Sequence, residues 1–301
     1  MQPGTRSPTV IAYPAKLECV PLRVAAIDFL NPAPLMWDFE HDPLQTELAT
    51  RYLLHRTAPS QCASELLAGR ADLGLIPIAA LTPELRIVPG STIASLDRVR
   101  SIQLVVKAPL ALTDVRTVAA DTASRSSVAY AHVLFRHFLG TDPEFLAAPA
   151  DLPTMLARAD AALIIGDPAL LALERRAAVE AQTGPCTWHD VAELWVEKTG
   201  LPWVAAVWAV RPEAVPERAH RAQLIQDLNA SRIHGVANID ELVAEWTPRI
   251  AIPSATIRGY LTANIHYELD PPCIAAIQRF RTLASAIGVL DPLPELPLLT
   301  A

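Results

Sequence analysis

A chain of 301 residues is long enough for one large domain or two ordinary ones. Just over half of it, 51%, is apolar and 19% is charged, which excludes a largely disordered chain and favours a packed enzyme or binding protein. A formal net charge of −7 argues against work on phosphate backbones, so no nucleic-acid partner is expected.

The first sixteen residues carry Pro3, Pro8 and Pro14 and no apolar run of signal-peptide length; they read as a loose tail, and the protein as cytoplasmic. No stretch approaches the roughly 18 unbroken apolar residues of a membrane span, so no integral membrane association is expected. The run 22–27 predicts a buried strand that ends in the polar, proline-rich D-F-L-N-P-A-P-L, and a loop after a strand is where α/β proteins place ligands. Residues 59–70 predict a short amphipathic helix. Ser60 is its candidate N-cap, Cys62, Ala63, Leu66 and Leu67 share a face, and Gly69 is a good stop. The next run, A-D-L-G-L-I-P-I, predicts another apolar strand, giving the strand-helix-strand alternation of a parallel sheet.

Two long strand-like runs, 101–106 and 203–210, flank about a hundred residues with their own strand and helix series. That pattern predicts an inserted lobe with two crossings: one lobe of residues 1–106 plus 207–301, the other of 107–206. Within the insert we place a strand at 116–120, the loop D-T-A-S, a helix over about 126–139 stopped by Gly140, a strand at 161–165 and a helix over about 190–198 closed by Gly200. From about Pro216 onward the chain reads as helical and should pack on the first lobe; 239–246, 254–262 and 272–287 carry apolar residues at helical spacing. Cys19, Cys62, Cys186 and Cys273 lie far apart with no C-x-x-C pair, and read as buried free thiols. The eight histidines are scattered without a spaced metal partner and read as structural or solvated, so no metal is expected.

Six motifs in sequence carry a likeness to a known family. They are L-N-x-x-P-L (30–35), P-S-x-C-A-x-x-L-x-x-G-x-A-D-L-G-L-I-P (59–77), V-x-S-I (99–102), D-T-A-S-R-S-S-V (121–128), L-I-I-G-D-x-A-L (163–170) and W-x-x-x-T-G-L-P-W-V-x-A-x-W (195–208). With Y-L-T-x-N-I-H-Y (260–267) closing the series, the chain resembles the chorismate dehydratases of the futalosine pathway to menaquinone. Two positions depart from the family pattern. Members usually read S-Y-L-N where this chain has Asp28, Phe29, Leu30 and Asn31, and T-S where it has Ser126 and Ser127. The second change keeps a hydroxyl; the first leaves open whether Asp28 touches a ligand or faces away. The resemblance implies an α/β fold of the type II periplasmic-binding-protein kind: two lobes with mixed sheets, joined by two hinge strands and closing over a ligand in the cleft.

Ser60 stands at the start of one predicted helix, and Ser124, Ser126 and Ser127 at the start of another, one helix from each lobe. Such serines cap helices, contributing about 1 kcal/mol each. The same helix ends also present unpaired N–H groups and a partial positive charge to anions. Chorismate, the small-molecule substrate the resemblance implies, carries two carboxylates, and Ser60, Ser126, Ser127 and Thr122 of the same loop are candidates to bind it. Arg125 either pairs with a carboxylate or lies exposed on the first helical turn. Gly166 allows a close approach of backbone to ligand. Asp167 reads as a cap or a binding residue that has to turn its charge aside from an anion. Asn31 and Ser101 read, taken alone, as a turn residue and a strand-start hydroxyl; the resemblance implies that both line the reacting end of the substrate as its catalytic pair. Trp195, Trp203 and Trp208 read as core and hinge packing.

The implied activity is loss of water from chorismate to give 3-[(1-carboxyvinyl)oxy]benzoate, with no cofactor. None of the matched motifs offers an obvious His, Lys or Glu base. The expectation is therefore that the enolpyruvyl carboxylate of the substrate takes the proton, while Asn31 and Ser101 fix that carboxylate and the leaving hydroxyl. Two other readings stand beside it: a small-anion solute-binding protein without catalysis, and the related 1,4-dihydroxy-6-naphthoate synthase, which should carry a catalytic histidine in the cleft. The oligomeric state is left open.

Overall fold

A computed structural model describes residues 20–301, so the expected tail and Cys19 lie outside the described residues. In chain order, β1 (Leu22–Ile27) leads through the short helices α1 (Trp37–Glu40) and α2 (Gln45–Leu48) to β2 (Tyr52–Thr57), α3 (Pro59–Leu67), β3 (Leu73–Pro77) and β4 (Arg86–Ser95). Next come β5 (Ile102–Lys107), β6 (Thr117–Asp121), α4 (Ser126–His132), β7 (Glu144–Ala148), α5 (Leu152–Arg158), β8 (Ala161–Ile165), α6 (Gly166–Glu174), α7 (Arg176–Thr183) and β9 (Cys186–Asp190). Then α8 (Val191–Thr199) and β10 (Trp203–Val210) lead to α9 (Arg218–Ala237), α10 (Ile239–Ile250), α11 (Ser254–Gly259), β11 (His266–Leu269) and α12 (Pro271–Ala286).

The strands form two mixed sheets. One has six strands in the order β11-β4-β10-β3-β1-β2, and the other five in the order β7-β6-β8-β5-β9. In the first, β1 runs parallel to β2 and β3 while β10 is antiparallel to β3 and β4. In the second, β6 is parallel to β7 and β8 while β5 is antiparallel to β8 and β9. Strands β3 and β8 are buried at every residue, because layers cover both faces; that is why they read as unbroken apolar runs. This is the two-lobed α/β architecture expected of the type II fold.

The crossings fall elsewhere than the apolar runs suggest. Every partner of β5 is in the second sheet and every partner of β10 in the first, so the chain changes sheet between Ser95 and Ile102 and again between Asp190 and Trp203. Lobe boundaries at 106 and 207 would remove β5 from its own sheet and cut β10 in two. Periodicity identifies a buried strand but not the sheet it joins. Asp190 ties the two crossings together. Its carboxylate accepts from the amides of Val99 (3.2 Å) and Arg100 (2.6 Å) in the first crossing, and caps α8 through those of Ala192 and Glu193.

Gly69, Gly140 and Gly200 end their helices with φ of +69°, +69° and +67°, the left-handed geometry that made them good stops. The helix expected over 126–139 is α-helical through His132 and continues as a π turn to Leu139. The C-terminal part is not wholly helical: β11 joins the edge of the first sheet through β4. Its four residues are too few for a period to show. Helix α12 also reaches the second lobe, where Phe280 stacks on Tyr130 of α4 with ring centroids 4.0 Å apart. Trp195, Trp203 and Trp208 are buried, and Cys62, Cys186 and Cys273 are buried free thiols. No helix among the described residues is long and apolar enough to cross a membrane.

Candidate active site in the interlobe cleft

Three loops at the carboxyl ends of strands build the cleft. After β1, the chain makes a turn that carries Asn31 and then a 3-10 turn, Ala33–Met36, seated on α9. Gly235 of α9 makes that seat possible, since any Cβ there would overlap the Pro34 carbonyl, and Ser231 bonds the turn by donating to the Leu35 carbonyl at 2.9 Å. After β6, Asp121 shapes the loop by accepting from the amides of Ala123, on its carboxylate at 2.9 Å, and Ser124, on its carbonyl at 3.0 Å. The loop then enters α4, whose first-turn amides have no intrahelical acceptors. After β8, Gly166 at φ +68° turns the chain into α6, with its N–H donated to the Ser101 carbonyl at 2.8 Å.

These loops enclose a cavity of about 440 Å³, part of it open to solvent. The first lobe contributes Ile27, Phe29, Asn31, Pro59, Pro77, Ile93, Ala205 and Ala206 to its wall. Ser101, Ile102, Ala123, Ser124, Arg125, Ser126, Ser127, Ile165 and Gly166 complete it. The cleft is closed over this space. Leu30 N–H donates to the Asp167 carboxylate at 3.0 and 3.2 Å, Ser60 N–H to the Ala123 carbonyl at 3.2 Å, and Arg125 Nη2 to Ser64 Oγ at 2.9 Å. Phe29 lies so close over Gly166 that a Cβ there would stand 2.6 Å from Cε2 of the ring.

Of the residues singled out in the sequence, Asn31, Ser101, Arg125, Ser126, Ser127 and Gly166 come together on this one wall, while Thr122, Ser60 and Asp167 do not. Thr122 is exposed, its amide pinned to the Ala148 carbonyl at 3.1 Å beside β7. Ser60 is not the N-cap of α3. Pro59 takes the first helical position, which its fixed φ and missing N–H favour, and Ala58 becomes the cap. Ser60 spends its amide on Ala123, so it links the lobes beside the cavity and leaves that N–H unavailable to a ligand. Asp167 is the second residue of α6 and turns its carboxylate to Leu30. Burial, and to a lesser extent the charge of Asp28, pushes its pKa up to about 6 against the pull of the Leu30 amide.

Neither Ser126 nor Ser127 caps α4 through its side chain. Ser126 Oγ instead donates to the Ala205 carbonyl at 3.0 Å and accepts from the Ala79 amide at 3.3 Å, fastening α4 to β10. Asp28 faces away: its side chain is 63% exposed, 3.8 Å from Arg56, and lines no part of the cavity. Two buried oxygens on the wall, Asn31 Oδ1 and Ser124 Oγ, have no hydrogen-bond partner. A buried unsatisfied polar atom costs about 1–3 kcal/mol, which makes both candidate contacts for a ligand or an ordered water. Sequence reasoning passed over Tyr260, which is buried and donates to Ser101 Oγ at 2.8 Å. Its signal was present in Y-L-T-x-N-I-H-Y, which carried the family likeness and was not read as part of a site.

Arg125 is the one charged side chain on the wall; no His, Lys, Asp or Glu reaches it. Among the described residues one group of metal-capable side chains, His266, Asp270 and Cys273, lies together at the start of α12. Both Asp270 oxygens are already engaged, one capping the Cys273 amide at 2.9 Å and the other meeting His266 Nε2 at 3.1 Å. That group is a helix cap whose carboxylate also meets a histidine, and it does not line the cavity.

Taken together these features define a two-lobed α/β protein with a small, partly polar cavity between its lobes. The comparisons go further. The family described as menaquinone biosynthesis matches residues 22–286, and the chain belongs to it. Chorismate dehydratase of Thermus thermophilus is 29% identical over 248 residues, covering 79% of this chain and 87% of that one. Among solved structures, a protein from Archaeoglobus fulgidus superposes with a TM-score of 0.70 at 15% identity, covering 89% of this chain and 98% of the other. The alkanesulfonate-binding protein SsuA from Xanthomonas axonopodis pv. citri, bound to MOPS, gives 0.65 at 19% identity, covering 93% and 97%. These structural likenesses show the fold.

Proposed function

We propose that this protein is a chorismate dehydratase, a hydro-lyase that acts inside the cell and converts chorismate to 3-[(1-carboxyvinyl)oxy]benzoate and water. The observation that carries the reading is the composition of the wall: hydroxyls, one amide side chain, the first-turn amides of α4 and a single guanidinium, with no side-chain base. Such a wall suits a dianion that provides its own base. One carboxylate takes the α4 amides and Arg125, where the helix dipole and the guanidinium both favour negative charge. The ring hydrogen beside the ether oxygen passes to the enolpyruvyl carboxylate, and the adjacent hydroxyl leaves. Negative charge developing in the ring spreads into the ring carboxylate, where fixed hydrogen bonds stabilise it. The C–H and C–O bonds break, the ring becomes aromatic, and the proton carried by the enolpyruvyl carboxyl completes the water.

Asn31 and Ser101 hold the hydroxyl and the attacking carboxylate in place, and fixing reacting groups offsets several kcal/mol of barrier. The naphthoate synthase reading called for a histidine in the cleft, and none of the eight lines the cavity. The test is to mix purified protein with chorismate, without added metal or cofactor, and follow loss of the cyclohexadiene absorbance and appearance of the aromatic enol ether. An unchanged spectrum with tight chorismate binding would replace the enzyme by a receptor. Asn31→Ala and Ser101→Ala proteins that fold and turn over at the parent rate would remove those two residues from the mechanism.

A further inference from the structure

Tyr260 lies outside the cavity wall, yet it controls one of the groups on it. It opens the π turn Tyr260–Asn264 that follows α11, and is 1% exposed. Its hydroxyl donates to Ser101 Oγ at 2.8 Å, and Ser101 is itself 1% exposed. A hydroxyl has one proton to give and room to accept. The bond geometry makes Tyr260 the donor of this pair, and burial, which raises the phenol pKa far above its ordinary value, keeps that proton in place. Ser101 Oγ is thereby the acceptor, and its own proton has to go elsewhere. No other partner for it exists among the described residues, and the side that remains is the cavity that Ser101 lines.

We infer that Tyr260 is a positioning residue, which by donating to Ser101 Oγ aims the Ser101 proton into the cavity at the departing oxygen of the substrate. This rests on the dehydratase reading and assigns the leaving-group end of the site. As the C–O bond breaks and its electron pair moves to the oxygen, Ser101 stabilises that oxygen by hydrogen bonding and keeps its own proton. Without Tyr260, Ser101 is free to turn its hydroxyl toward the vacated acceptor side, and the donor is lost from the cavity for part of the time.

The experiment uses Tyr260→Phe, which keeps the ring and removes the hydroxyl, together with Ser101→Ala and the double variant. Expected for Tyr260→Phe is a kcat lowered by about tenfold or more, as for loss of an oriented donor, with the KM for chorismate within about twofold of the parent. The double variant should match Ser101→Ala within about twofold, because a residue that acts only through Ser101 has nothing further to lose. Tyr260→Met, which keeps bulk without a donor, should give the same pattern and serves if the phenylalanine variant does not fold. A Tyr260→Phe enzyme at the parent kcat, or a double variant slower than Ser101→Ala by the full single-variant factor, overturns the inference. A parent protein inert toward chorismate overturns the dehydratase reading and this assignment with it, and the parent control separates that result from the other two.

Discussion

Replacing Gly166 by alanine separates two costs that a single substitution usually confounds. The residue sits at φ +68°, where a Cβ costs roughly 1–2 kcal/mol whether the cleft is open or closed. The added methyl also stands 2.6, 2.7 and 2.8 Å from three carbons of the Phe29 ring, and this second cost exists only when the lobes are together. Ordinary carbon contact is about 3.5–4.0 Å, so the ring or the lobe must withdraw by about 1 Å. A withdrawal of that size breaks the bond from Leu30 N–H to Asp167, which starts at 3.0 Å. A hydrogen bond to a charged group contributes about 1.5–3 kcal/mol, and partial exposure of Asp167 favours the low end, so kcat/KM should fall by roughly tenfold to a hundredfold. The thermal midpoint should fall by only a few degrees, about what 1–2 kcal/mol does in a chain of this size. Chorismate turnover and thermal unfolding on the same preparations measure the two costs. Phe29→Ala in the Gly166→Ala background removes the clash and should recover most of the activity while the loss of stability remains. If the Gly166→Ala protein keeps the parent kcat/KM, or if the added Phe29→Ala change recovers nothing, the packing of Phe29 on Gly166 is not what governs closure.

Asp167 gives closure a pH dependence. Its pKa in the closed protein is raised to about 6 from an ordinary 3.8, so closing binds a proton; the closed form is most favoured below about pH 4 and loses that advantage as pH rises through 6. Asp167→Asn keeps an acceptor for Leu30 and removes the charge. Its thermal midpoint should therefore exceed the parent's by more at pH 7.5 than at pH 4.5, and a constant difference across that range would refute the linkage. Asp190→Ala should be the more damaging change to the fold. It strips the acceptor from four buried or half-buried amides of both crossings, and a loss of about 3 kcal/mol or more is expected in denaturant unfolding; a loss below 1 kcal/mol would show that the crossings do not depend on it.

Much of the architecture could be read in the sequence because its signals are local. The strand 161–165 appears with the expected bounds, and the stops at Gly69, Gly140 and Gly200 sit at the one backbone conformation that glycine adopts freely. What could not be read depends on pairing at a distance. Strands β2, β7 and β9 alternate or mix exposed with buried residues, β4 is interrupted by Pro89 and Gly90, and β11 has only four residues. The site divides in the same way. Asn31, Ser101, Ser126 and Ser127 line the cavity because the motif loops carry them there. Ser60 and Asp167 lie beside the cavity and bond across the lobes, because one backbone position decides whether a residue faces the cavity or the opposite lobe. Tyr260 reaches Ser101 across 159 positions of sequence, a contact that no spacing rule encodes.

On the dehydratase reading, the wall of the cavity also accounts for how a site without a base can be selective. Its polar groups are oriented from behind: Ser126 by Ala205 and Ala79, Ser101 by Tyr260, and the turn bearing Asn31 by α9. Groups held in this way need no reorganisation when charge develops, and closure excludes the water that would screen them. Asn31 Oδ1 is an acceptor left without a donor, at a cost of about 1–3 kcal/mol until something supplies one. Chorismate with both carboxylates ionised has a single O–H group, the hydroxyl that leaves. On the proposed reading that proton answers Asn31 Oδ1 while Ser101 donates to the same oxygen, so the unpaired acceptor and the aimed donor select one orientation of the ring. A dianion lacking that hydroxyl leaves Asn31 unsatisfied and forfeits the bond on which recognition and departure both depend.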